Sequence, residues 1–101
     1  MYTLNESSIK QYYDNFGECK FMNFFSLSIN KLQLSQHLDK LLTLNLSHNR
    51  LKSVKTISCC INLQKLDLSY NHISDEGGIA IADLLNNANN LLSFNIQGND
   101  I

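Results

Sequence analysis

The chain has 101 residues, with eight Lys plus Arg against nine Asp plus Glu and a formal net charge of −1 with histidine neutral. That length suits one domain, and 44% hydrophobic residues exclude outright disorder. Balanced charge supplies no basic surface for phosphate backbones or anionic lipid, so neither nucleic acid nor a membrane is an expected partner.

The composition is skewed all the same. Leucine, asparagine and serine account for 17, 14 and 11 residues, with no Pro and no Trp, a bias that usually marks a repeat. The opening residues, MYTLNESSIKQYY, have no charged head followed by an apolar stretch, and no later run approaches the ~20 apolar residues of a membrane span. An unexported, cytoplasmic protein is expected. Cys19, Cys59 and Cys60 are too few to frame a small secreted domain, and Cys59-Cys60 lacks CxxC spacing, so reduced thiols are expected.

In chain order, Ile9, Tyr12, Tyr13 and Phe16 stand at i, i+3, i+4 and i+7. This predicts an amphipathic helix from about Leu4 to Phe16, with Thr3 and Glu6 as a capping box and Gly17 as a stop. The spacing L-x-x-L-x-L-x-x-N-x-L then recurs: LLTLNLSHNRL over 41–51, LQKLDLSYNHI over 63–73 and LLSFNIQGNDI over 91–101. A looser copy, MNFFSLSINKL over 22–32, sets Asn30 in register with Asn49, Asn71 and Asn99. In Leu44-Asn45-Leu46, Leu66-Asp67-Leu68 and Phe94-Asn95-Ile96, apolar residues two apart point to one face of a strand. Such strands bury little alone, and stacking makes a continuous core.

This template resembles the leucine-rich repeat superfamily over about residues 22–101. The resemblance implies a short parallel strand per repeat, stacked into a curved solenoid. The expected architecture is therefore an α/β leucine-rich repeat solenoid with four parallel strands near 24–28, 43–47, 65–69 and 93–97 on its concave face. Residues 1–21 form an N-terminal capping helix and linker, and residues 22–40, 41–62, 63–90 and an incomplete 91–101 form the repeats.

The returns differ. Val54, Ile57, Cys60 and Leu63 are spaced by three, which suits a tight 3₁₀ path. SDEGGIAIADLLNNANN suits a full helix with Gly78, Ile81, Leu84, Leu85 and Ala88 inward and Ser74 or Asp75 as cap. That long return looks like the ribonuclease-inhibitor type, and the earlier ones like the short intracellular type. The asparagine column is read as structural, its buried amides satisfying turn groups.

No phosphate loop, GxGxxG, GxSxG or HExxH is present, so neither catalysis nor a metal or cofactor is expected. Columns of the outward face are read as Phe24, Thr43, Lys65, Ser93, then Ser26, Asn45, Asp67, Asn95, then Ile29, His48, Tyr70, Gly98. Lys31, Arg50, His72 and Asp100 stand at the rim. Tyr70 beside His48, flanked by Lys65, Asp67, Arg50 and His72, is the expected partner-binding patch, since aromatic residues and Arg are enriched in binding hot spots.

The first reading is a non-catalytic module or scaffold that binds another protein through this face. The second is a non-catalytic segment of an enzyme subunit. LNESSIKQYYDNFGECKF with LSQHLDKLLTLNLSHNRLKSV is weakly similar to the carboxy-terminal repeats of the Rab geranylgeranyltransferase alpha subunit. Because the template finishes at Ile101 without a polar cap, self-association through that end is also expected.

Overall fold

The computed structural model describes residues 2–34, 38–87 and 90–101. Its strands are β1 (Tyr2–Asn5), β2 (Phe21–Asn23), β3 (Ile29–Gln33), β4 (Thr43–Asn45), β5 (Lys65–Asp67) and β6 (Ser93–Asn95), and its helices are α1 (Glu6–Tyr12) and α2 (Asp75–Asn87). Strands β2, β4, β5 and β6 form a four-stranded parallel sheet in that order, and β1 pairs with β3 in a second, two-stranded parallel sheet. The result is an α/β fold of leucine-rich-repeat type.

Register explains the core. Met22, Leu44, Leu66 and Phe94 lie side by side across the sheet. Two residues on, Phe24, Leu46, Leu68 and Ile96 point the same way, and five further on Ile29, Leu51 and Ile73 complete the inward set. All are buried except Phe94 on β6 and Ile96 just after it, which are half-buried. The return after Leu51 is a 3₁₀ turn over Lys55–Cys59, and Val54, Ile57, Cys60 and Leu63 are all buried as their spacing requires. The longer return is α2. Its inward positions are Gly77, Ile81 and Leu84, whereas Leu85 is exposed, Gly78 is half-buried and Ala88 lies outside the described residues. Gly77 is needed for close approach, because a Cβ there would sit 2.8 Å from the Lys52 carbonyl oxygen and 2.5 Å from Ile73 Cγ2.

Two expectations are corrected at the N-terminal end. The first residues are strand rather than helix. Asn5, not Thr3, caps α1: its side chain accepts from the Ser8 N–H at 3.0 Å, while Ser8 Oγ accepts from the Asn5 N–H at 2.8 Å. The helix therefore covers only residues 6–12 of the expected 4–16. The first repeat is shifted by three residues. Phe21 pairs with Thr43, so the template is Cys19–Ile29, and Phe24 and Ile29, expected on the outward face, are both fully buried.

The reason is the direction in which each asparagine works. Asn49 Nδ2 donates to the Phe24 carbonyl at 2.9 Å, and its Oδ1 accepts the Leu27 and Ile29 N–H groups, all in the preceding repeat. Asn71 serves Leu46 O and Leu51 N in the same way, and Asn99 serves Leu68 O and Ile73 N. The first repeat has no preceding repeat to serve, and Leu27 occupies its asparagine position. Asn30 instead accepts the Tyr2 N–H at 2.9 Å, joining β1 to β3.

Candidate functional site

The sheet turns its core-distant face outward, and that face is assembled by the residues just after each strand. At the residue before Asn49, Asn71 and Asn99 the chain enters left-handed backbone: φ is 57° at His48, 56° at Tyr70 and 74° at Gly98, and Ser26 takes 55° in the first repeat. Only glycine adopts this region without cost, so a side chain here is held at ~1–2 kcal/mol of local strain by the bonds around it. Those bonds are the ladder His48 N–H to Ser69 O and Tyr70 N–H to Gln97 O.

The same conformation throws the His48 and Tyr70 rings out of the sheet and onto one another. His48 stacks on Tyr70 with centroids 4.6 Å apart and planes inclined by 22°, and Phe25 meets His48 edge-on at 5.0 Å. Gly98 continues the column with no side chain, and a Cβ there would run into the Tyr70 ring. The rings remain open: Phe25 is 51% and Tyr70 45% exposed, and Phe21, at the head of the neighbouring column, is 64% exposed. Beside them lies a shallow depression of about 300 Å³ floored by β4, β5 and β6, with Lys65 and Asp67 on its lining.

Of the six residues proposed from sequence, His48 and Tyr70 are in direct contact. Lys65 is exposed on β5 between Thr43 and Ser93. Asp67 is half-buried and already engaged, its Oδ1 accepting the Ser69 N–H at 2.9 Å and the Ser69 hydroxyl at 2.6 Å. Asn23, Asn45 and Asn95 make the same turn with Phe25, Ser47 and Gln97, so this column shapes the strand ends before it recognises anything. Arg50 and His72 are exposed at the rim, where their backbone N–H groups bond Ile29 O and Leu51 O. Among the described residues neither they nor Lys65 make a ring contact or ion pair with the stack.

Phe25 and Phe21 were missed because the three-residue shift assigned Phe25 to the core. Reading Met22 and Phe24 as the inward pair, with Ile29 closing the template, would have put Phe25 outside. Among the described residues no three His, Cys, Asp or Glu side chains converge as a metal set. Cys59 and Cys60 lie side by side with Sγ atoms 4.0 Å apart. The Cys60 thiol lowers the Cys59 pKa, and Cys60 is itself pushed up by sharing that bond and by burial.

Leucine-rich repeat family models match residues 40–60 and 59–82, which contain β4, β5 and both returns as far as the middle of α2. No curated relative matches the sequence, and the likeness to Rab geranylgeranyltransferase alpha subunit repeats finds no support. Leucine-rich repeat domains generally mediate protein–protein interaction. Over residues 40–82 the chain belongs to the leucine-rich repeat superfamily.

Proposed function

We propose that this chain is a non-catalytic, cytoplasmic recognition module that binds another protein through the outward, concave face of its four-stranded sheet. The observation that carries the reading is the exposed ring column Phe25, His48 and Tyr70 on three successive repeats, with His48 and Tyr70 at strained backbone positions. Rings held by one another and by the strand ends lose little conformational freedom on binding, which favours affinity. Lys65, Arg50 and His72 surround the column as rim charges that select partners and speed encounter rather than supply most of the energy. Three free thiols support the reducing compartment.

In this reading the repeats form a solenoid whose N-terminal end is capped by the segment before Cys19, so the division expected at residue 21/22 moves to 18/19. What supports the cap is contact: Tyr12 and Tyr13 meet the Phe24 ring edge-on at 5.9 and 5.7 Å, and the Tyr13 hydroxyl oxygen accepts the Asn23 N–H at 2.9 Å. The half-buried Phe94 and Ile96, with Leu92 80% exposed, support association of copies at the other end.

The test is affinity capture with the wild type, a His48→Ala plus Tyr70→Ala variant, and an Ile79→Ser plus Leu85→Ser variant on the opposite α2 surface, each checked for folding by circular dichroism. Partners should be lost only with the first variant. Retention there, with loss from the α2 variant, would move the interface to the helix side.

A further inference from the structure

Cys59 and Cys60 are adjacent in the chain, and in extended backbone such neighbours would send their side chains to opposite faces. Here the chain bends at the pair. Cys59 ends the 3₁₀ turn, and Cys60, at φ −87° and ψ 68°, leaves it. The two sulfurs lie 4.0 Å apart, and both thiols are free. Their surroundings differ: Cys60 is 4% exposed and belongs to the core, whereas Cys59 is half-buried and reaches the surface. Among the described residues no His, Asp or Glu joins them as a third metal ligand, so the chemistry open to the pair is redox chemistry between its own sulfurs.

We propose that Cys59 and Cys60 form a reversible oxidation site, in which hydrogen peroxide oxidises Cys59 and Cys60 then closes a disulfide with it. The Cys59 thiolate sulfur attacks one peroxide oxygen. An S–O bond forms as the O–O bond breaks, and the departing hydroxide takes up the proton the thiol released, leaving a sulfenic acid and water. The Cys60 sulfur next attacks Cys59 Sγ: the S–S bond forms, the S–O bond breaks, and the hydroxyl leaves with the Cys60 proton as a second water. The pair gives up two electrons and two protons, which the peroxide takes.

Each sulfur suits its step. The Cys60 thiol lowers Cys59, so the sulfur that reaches the surface is also the one favoured as thiolate, the nucleophilic form. Cys60 is pushed up by its bond to Cys59, by burial and by the Cys59 charge. Oxidation of Cys59 removes that charge, which frees the buried thiol to react once a sulfenic acid stands beside it.

The bond would also open readily. Neighbouring Cα atoms are ~3.8 Å apart across a trans peptide, closer than the ~4.4–6.8 Å of ordinary disulfides, so the closed ring is strained and easily reduced. One small thiol attacks the Cys59 sulfur and releases Cys60, and a second displaces the mixed disulfide to restore both thiols. The strain falls on the Cys60 N–H bond to Ile57 O at 2.9 Å and the Leu63 N–H bond to Cys60 O at 3.2 Å, which set the path from the turn to β5. The site is separate from the sheet-face interface, so either can fail without the other.

The experiment is limited hydrogen peroxide treatment of the full chain, read by mass spectrometry of intact protein and peptides and by non-reducing electrophoresis. The expected product is a monomer lighter by two hydrogen atoms, bridged within the peptide that holds both cysteines and returned to free thiols by glutathione. Cys19, whose S–H donates to Phe21 O at 3.1 Å, is the internal reference and should keep its thiol at the same dose. Cys60→Ala should stop at a sulfenic acid that dimedone traps. Cys59→Ala should slow oxidation at Cys60 at least about tenfold, because a buried thiol in apolar surroundings is inert. Wild-type chain that keeps both thiols while Cys19 oxidises, that carries sulfinic acid at Cys59 with Cys60 intact, or that forms bridges only between chains would overturn the proposal.

Discussion

The first repeat, Cys19–Ile29, and the two that follow share an inward column of apolar residues but differ in their polar chemistry. In the middle repeats a buried asparagine satisfies the turn of its predecessor. The first repeat has Leu27 at that position, and what precedes it is α1 with its tyrosine rings. Leucine and isoleucine positions are thus set by each repeat's own need for burial, whereas the asparagine is set by its neighbour's unsatisfied backbone. A repeat therefore needs its asparagine only when another repeat lies before it.

The sharpest way to break that comparison is Asn71→Ala. It strands the Leu51 N–H in the core and removes one of the two donors to each of Leu46 O and Leu68 O, which Asn49 and Asn99 still serve, so chemical denaturation should show a loss of about 3–4 kcal/mol. Leu27→Asn, the converse change, should yield no gain and cost about 1 kcal/mol of apolar burial. A stabilised Leu27→Asn variant would mean that the first repeat needs an amide after all.

Next comes Leu66→Ala, which truncates a side chain 2% exposed in the middle of the sheet and should cost about 3 kcal/mol in the same assay. Its outward neighbour in the previous repeat, Asn45, holds only the Ser47 N–H and hydroxyl, and Asn45→Ala should cost about 1 kcal/mol. Equal losses would invalidate the inward and outward assignment.

At the junction between the regions, Tyr13→Phe keeps the ring against Phe24 and removes the acceptor for the exposed Asn23 N–H. The stability loss should be about 0.5–1 kcal/mol, with faster hydrogen exchange confined to the Asn23 amide. Exchange that accelerates equally at β5 would show that the N-terminal contacts and the middle repeats form one cooperative unit.

The smallest effect concerns reactivity rather than stability. Because the Cys60 thiol favours the Cys59 thiolate, alkylation of Cys59 should rise with pH around a midpoint lower than that of an ordinary cysteine. Cys60→Ala should move that midpoint upward, since the largest lowering influence is then gone and only a backbone hydrogen bond still opposes burial. An unchanged profile would show that the two sulfurs do not interact.

What was legible in advance was whatever repeats in a fixed spacing. Strands β4, β5 and β6 begin at the expected residues, Thr43, Lys65 and Ser93. The tight and helical returns follow from spacing by three and by helical period, because both are local consequences of which side chains must face inward. His48 and Tyr70 were found for the same reason, since equal template positions on parallel strands must be neighbours.

Tertiary structure decided what depends on two distant segments at once. Asn30 looks like one more member of the asparagine column, yet its partner is the Tyr2 N–H, 28 residues earlier, and no window of sequence contains that pairing. The β1–β3 sheet, the three-residue shift of the first repeat and the exposure of Phe25 all follow from it. The same holds for Asp67, which reads as a surface charge and is drawn into the turn that ends β5. By itself the sequence determined which residues must avoid water, because hydrophobic burial depends on side-chain type and period. Which polar groups became partners was left to the folded chain, because a hydrogen bond depends on where its other half arrives.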